Sequence, residues 1–228
     1  MRLQPMPLGD WAPDQAATGG GAKLTIAKNV IPYRSHYGPL RALAEIGAAI
    51  DARPLGAVAA RDSAGAVHVY VGDAAKLYEQ TSATGAWVDV SRVGGYTASE
   101  ATRWRFWAFG DRMLATNGQN PIQYKLMSGA SDFADQPGSP PLAQHGCAFG
   151  QFVMLGNLES EASGVRWCSI GDSEAWVNGV NQAGEEGFPD GGPVQGFAVL
   201  DAIYIFQESC IRRAVYVGPP TIFAFDVI

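Results

Sequence analysis

Cysteine, histidine and clustered positive charge are all scarce in this 228-residue sequence, and each scarcity closes off a class of chemistry. The three cysteines, Cys147, Cys168 and Cys210, lie 21 and 42 residues apart. That spacing holds no CxxC pair, zinc ribbon or even-numbered disulfide framework, so they read as reduced, buried thiols of a protein assembled in cytoplasm. His36, His68 and His145 stand 32 and 77 residues apart, without the i, i+2 or i, i+4 pairing that sets two imidazoles on one metal ion. No metal and no cofactor is expected. Sixteen Lys plus Arg against 22 Asp plus Glu give a net charge of −6, and the basic residues are scattered except at Arg212–Arg213. This argues against a surface that tracks nucleic-acid phosphates, which needs clustered cations. Mild acidity also serves plain solubility. Long apolar runs are missing as well. The opening MRLQPMPLGDWAPD has Pro and Asp where a signal peptide needs an apolar segment, and no stretch approaches the length of a membrane span. A soluble chain without a membrane anchor is expected.

What is present divides into two compositional regions. Residues 1–57 carry Pro5, Pro7, Pro13, Pro32, Pro39 and Pro54, a Gly19-Gly20-Gly21 run and few alternating segments, and they read as an extended N-terminal arm. Within it, Leu40, Leu43, Gly47 and Ile50 sit at near-helical spacing, so a short helix is expected there. Such an arm either wraps its own domain or is tied down on a neighbouring subunit. Residues 58–228 consist of short apolar segments punctuated by Gly, Asp and Asn, the pattern of an all-β domain. Val67, Val69 and Val71 alternate with His68 and Tyr70, which puts the valines on one face of a strand. Gly110-Asp111 and Asn117-Gly118 are turn pairs flanking further strands.

The segments also repeat. Phe109–Asn117 aligns with Phe149–Asn157 at an offset of 40, and Ala108 and Asp111 correspond to Ala198 and Asp201. With Asp62 opening an earlier copy, turn positions 62, 111, 151 and 201 are spaced by 49, 40 and 50, the range of propeller blades built from four-stranded meanders. The fold class expected is therefore all-β, with propeller-like repeats of antiparallel meanders behind the arm and a β-sandwich as the alternative. Thr221–Ile228 looks like a strand in mid-blade, so the propeller-like domain is expected to be incomplete at its C-terminus, with blades completed elsewhere.

No constellation carries catalysis convincingly. Gly19–Thr25 lacks the adjacent Gly-Lys-Ser/Thr and the preceding strand of a phosphate loop, and it reads as a linker. Gly171-Asp172-Ser173 has no histidine after it to serve as base. Glu159, Glu161, Asp172, Glu174, Glu185, Glu186 and Asp190 occupy a turn-rich region and read as a solvated face; as a propeller mouth, paired carboxylates there could hydrolyse a glycoside. Trp87, Trp104, Trp107, Trp167 and Trp176 recur near strand ends. They fit wedges between blades better than platforms for sugar rings.

The ordered set of short motifs resembles the tail hub or nozzle proteins of short-tailed bacteriophages, the group that includes head-to-tail stabilisation proteins. In the arm these are Leu8-Gly9-Asp10-Trp11 with Pro13-Asp14, Asn29-Val30-Ile31-Pro32 and Tyr37-Gly38-Pro39. Further on come Leu77-Tyr78, Trp87 with Asp89-Val90-Ser91, Gly95-Tyr96, Trp104 with Phe106, and Ala115-Thr116-Asn117-Gly118. The closing part holds Arg166-Trp167, Trp176, Gly191-Gly192, Phe206-Gln207-Glu208-Ser209 and Gly218-Pro219-Pro220. Members of that group are usually much longer. The resemblance implies a structural virion protein without enzymatic activity, assembled in the host cytoplasm and located in the tail. It implies a homo-oligomeric ring, of six subunits, that extends the DNA channel below the portal and adaptor. The partners implied are portal-side connector proteins and tail fibres or a needle, with DNA passing through the lumen without specific binding. Acidic side chains facing that lumen would repel the phosphates. Trp11, Pro13, Asp14, Asn29 and Pro32 are the arm residues expected at subunit contacts. The competing reading is a carbohydrate-binding or glycoside-hydrolysing propeller that uses Trp87, Trp107 and nearby carboxylates; a scaffold for protein partners is a third.

Overall fold

The computed structural model describes residues 11–12, 26–34, 37–40, 47–80 and 85–228. By its internal contacts the chain forms two compact units, Met1–Glu45 and Ile46–Ile228, a boundary earlier than residue 57. In the first unit, strands β1 (Val30–Pro32) and β2 (Tyr37–Pro39) pair antiparallel, with Ile31 opposite Gly38. The helix expected over 40–50 lies largely outside the described residues, and Gly47–Ile50 is not helical.

The second unit is four antiparallel sheets of four strands, each an uninterrupted meander in chain order. Sheet 1 holds β3 (Gly56–Arg61), β4 (Val67–Gly72), β5 (Leu77–Gln80) and β6 (Trp87–Asp89). Sheet 2 holds β7 (Arg105–Phe109), β8 (Arg112–Thr116), β9 (Gln123–Leu126) and β10 (Ala134–Asp135). Sheet 3 holds β11 (Ala143–Phe149), β12 (Phe152–Leu158), β13 (Gly164–Trp167) and β14 (Gly184–Gly187). Sheet 4 holds β15 (Val194–Val199), β16 (Ile203–Gln207), β17 (Ile211–Gly218) and β18 (Ile222–Val227). One turn of 3-10 helix, Pro189–Gly191, is the only helical element among the described residues.

The four turn positions read from the sequence, 62, 111, 151 and 201, all fall between the first and second strands of their sheets. In sheets 2 and 3 this turn is a two-residue hairpin, and Gly110 and Gly150 both sit at φ +57. A glycine at the first central position is what type II′ hairpin turns select. Strand β18 is the fourth strand of its meander, so Thr221–Ile228 completes a repeat and does not break one off in the middle.

The sheets stack through their first strands: β3 lies against β7, β7 against β11, and β11 against β15. Period-two alternation then sends neighbouring side chains to different sheets. On β8, Met113 and Ala115 join the core shared with sheet 1, while Leu114 joins the core shared with sheet 3. On β12, Val153 and Leu155 face sheet 2, while Phe152 and Met154 face sheet 4. Three cores thus separate four sheets. In β4 the alternation runs opposite to simple hydrophobicity: Tyr70 packs towards sheet 2, and Val67, on the other face, is 54% exposed.

Candidate functional site

In the arm, Trp11 is 55% exposed and its backbone N–H donates to the Tyr37 hydroxyl at 3.0 Å. Asn29 takes φ +57, a conformation that asparagine tolerates better than most residues. Its carbonyl accepts the Leu40 N–H at 2.8 Å, which closes the β1–β2 hairpin. Pro32 ends β1, opposite Tyr37. Pro13 and Asp14 lie outside the described residues, as do His36 and Gly19–Thr25. Ile26, Val30, Ile31 and Leu40 are exposed on this unit.

In the β unit, the tryptophans lock the stack. A Cβ added at Gly72 would lie 2.3 Å from the Trp104 ring, and one at Gly146 would lie 2.4 Å from Trp107. Phe197 occupies the corresponding space over Gly156 between sheets 3 and 4. Each large aromatic therefore fills a seat that only glycine leaves open. Beside each apolar core runs a polar bolt: the Trp104 indole donates to the Asp73 carbonyl (2.8 Å), Thr116 to the Ala143 carbonyl (2.5 Å) and the Asn157 amide to the Val194 carbonyl (2.9 Å). Sequence alignment of the repeat placed Asn117 and Asn157 at one position. Asn117 closes an Asx turn, accepting the N–H groups of Gln119 and Asn120.

Sheet 4, like sheet 1 at the other end of the stack and unlike sheets 2 and 3, has one face without a neighbouring sheet. By register, Ala198, Tyr204, Phe206, Ile211, Arg213, Val215, Ala224 and Asp226 point to that side. Phe206 is 38% and Ile211 36% exposed, and Leu200 in the adjoining turn is exposed too. On the outer face of sheet 1, by contrast, Trp87 and Tyr78 meet the chain's own preceding segment. The Trp87 indole donates to the Ala48 carbonyl, and Tyr78 and Lys76 both bind Asp51.

The groups singled out for chemistry are dispersed. Ser173 is buried, its hydroxyl accepting from the Gln136 amide, and its carbonyl accepts the Trp176 indole. Of the seven acidic residues in the turn-rich region, Glu174 pairs with Arg112, Glu185 with Arg166 and Asp190 with Arg212. Burial pushes the thiols of Cys147 and Cys168 up to about 12 and about 11, which keeps them protonated. Among the described residues no group of three or more His, Cys, Asp or Glu is placed to hold a metal ion, and no helix is long and apolar enough to cross a membrane.

Two arrangements were hidden from sequence reading. The first is a charged network between sheets 1 and 2. His68 Nδ1 lies 2.7 Å from Glu79, its Nε2 lies 3.3 Å from Asp62, and Tyr70 donates to Glu79. Lys125, almost wholly buried, reaches the same Glu79 at 3.4 Å and donates to the carbonyls of Gly129 and Ser131. Burial opposes the protonated imidazole, but the bonds to Glu79 and Asp62 outweigh it and raise the His68 pKa. The second is a pair of clefts along the first strands. One, of about 400 Å³, is lined by Arg53, Leu55, Gly56, Glu100, Arg103 and Arg105. The next, of about 240 Å³, is lined by Arg105, His145, Gln195 and Phe197. Burial, and then the charge of Arg105, bring His145 down to about 4, so it is neutral at physiological pH.

Neither a known family profile nor a curated protein matches this sequence.

Proposed function

We propose that the chain is a structural subunit of the tail of a short-tailed bacteriophage, a nozzle or hub component that assembles into a ring and extends the DNA channel below portal and adaptor. The observation that carries this reading is the uncovered face of sheet 4. Every sheet boundary inside the stack is an apolar core with an aromatic wedge, yet Phe206 and Ile211 present the same kind of surface to solvent. Exposed apolar patches of this sort mark protein–protein contacts. The exposed apolar residues of the arm, Trp11 among them, add a second contact surface. A closed ring buries both by repeating one heterologous contact around an axis. The motif set described above supplies the identity of the ring, and the net charge of −6 suits a lumen that DNA must slide through.

The glycan-binding reading has less to stand on. Trp107 is enclosed between sheets 2 and 3, and the Trp87 indole N–H is already bound to Ala48. Imaging of the purified chain for rotational symmetry tests the proposal. Rings of six subunits, lost when residues 1–32 are deleted, support it. A monomer that releases sugars from glycans overturns it.

A further inference from the structure

The basic residues look scattered in the sequence, yet the first strands gather three of them. Arg53 precedes β3, Arg103 and Arg105 flank Trp104 at the start of β7, and all three line one cleft of about 400 Å³. A single carboxylate, Glu100, shares the cleft, and it is paired with Arg53. The Glu100 backbone carbonyl takes the Arg103 Nε–H at 3.1 Å, and Arg105 reaches only the Trp104 carbonyl at 3.4 Å. Among the described residues neither Arg103 nor Arg105 has a carboxylate within ion-pair distance. Three guanidiniums against one carboxylate leave an excess of two positive charges in a concave site of a protein whose net charge is −6. A concave wall focuses that field. The neighbouring cleft adds no negative charge, since its lining consists of Arg105, neutral His145, Gln195 and apolar or glycine residues.

The geometry points to an oxyanion site: the cleft between sheets 1 and 2 takes a phosphate group, held by Arg103 and Arg105 with Arg53 at the rim. Guanidinium forks match the paired oxygens of phosphate, and Leu55, Gly56 and Trp104 supply part of the remaining wall. The site is independent of the ring proposed above, because none of its residues lies in the arm's described strands or on the open face of sheet 4. The shared chemistry is a phosphate oxyanion, whether free or carried by a nucleotide or a nucleic-acid strand.

Isothermal titration of the full chain separates these sources, with inorganic phosphate, a nucleoside monophosphate and a single-stranded oligonucleotide as ligands in parallel. Saturable phosphate binding at about 1 mM or tighter is expected, weakening as sodium chloride rises. Arg103→Gln and Arg105→Gln should each weaken it by about tenfold or more, as loss of a charge-assisted hydrogen bond does. Arg213→Gln, on the open face of sheet 4, should leave it unchanged. Circular dichroism of each variant confirms that the fold is retained. Binding of phosphate and nucleotide without the oligonucleotide identifies a small-molecule site; binding of the oligonucleotide through the same arginines identifies a strand contact. Absence of phosphate binding, or binding unaffected by both arginine variants, overturns the site. Either result leaves the symmetry of the assembly as a separate question.

Discussion

Sheets 2 and 3 and sheet 4 are built from the same meander, yet they live in different surroundings. Strand β8 is buried along almost its whole length and β12 likewise, because each contributes alternate side chains to two cores. In the second strand of sheet 4, Ile203, Ile205 and Gln207 are buried while Tyr204 and Phe206 are not. A strand flanked by two sheets loses the polar half of its alternation and becomes a nearly continuous apolar run. A strand at the end of a stack keeps the alternation, but here the outward positions of β16, Tyr204 and Phe206, are aromatic, and the Arg213–Asp226 pair lies beside them on the same face. That combination is costly in water for an isolated molecule.

The comparison can be broken most forcefully at the wedges. Trp104→Ala empties the seat over Gly72 and should destabilise the fold by about 3–5 kcal/mol in urea denaturation, the range for large aromatics in cores. An equivalent loss on truncating Phe206 in a monomeric background would erase the distinction between covered and open faces. Asn157→Ala removes the bolt from sheet 3 to sheet 4 and puts alanine at φ +53. It should cost about 2 kcal/mol in the same measurement. Phe206→Glu should change the stability of the subunit by no more than about 0.5 kcal/mol, as surface substitutions do, while preventing assembly on size-exclusion chromatography.

The smallest effect is expected at the network of His68, Asp62, Glu79, Lys125 and Tyr70. The His68 pKa is raised in the fold, so its contribution to stability is fully present below the ordinary value of 6.5. That contribution is lost as pH rises through the folded value. Thermal midpoints followed from about pH 5.5 to about pH 8.5 should show a decline that His68→Gln flattens. A decline of equal slope in the variant would assign it to other groups.

The repeat was legible because hairpin turns have strict backbone needs. Gly110, Gly150 and the acidic turn residues at 62, 111 and 201 kept the phase of the meander even where the strands between them share little sequence. Strand β14, Gly184–Gly187, was not legible: two glycines and two glutamates have poor strand preference, and their conformation comes from pairing with β13. The mid-blade placement expected for Thr221–Ile228 failed for a related reason, since an apolar fourth strand reads like one inside a sheet. The arginine cleft and the Lys125–Glu79–His68 network could not be read at all. Only the stacking of sheet 1 on sheet 2 brings Arg53 to Arg105, or Lys125 on β9 to Glu79 on β5, across tens of residues of sequence.

Native mass spectrometry of the intact chain beside Phe206→Glu tests most directly whether the open face of sheet 4 is an assembly surface. The account predicts a defined multiple of 24.1 kDa for the wild-type chain and a folded 24.1 kDa species for the variant. A wild-type chain that stays at 24.1 kDa at micromolar concentration, or a variant that assembles as before, would contradict it.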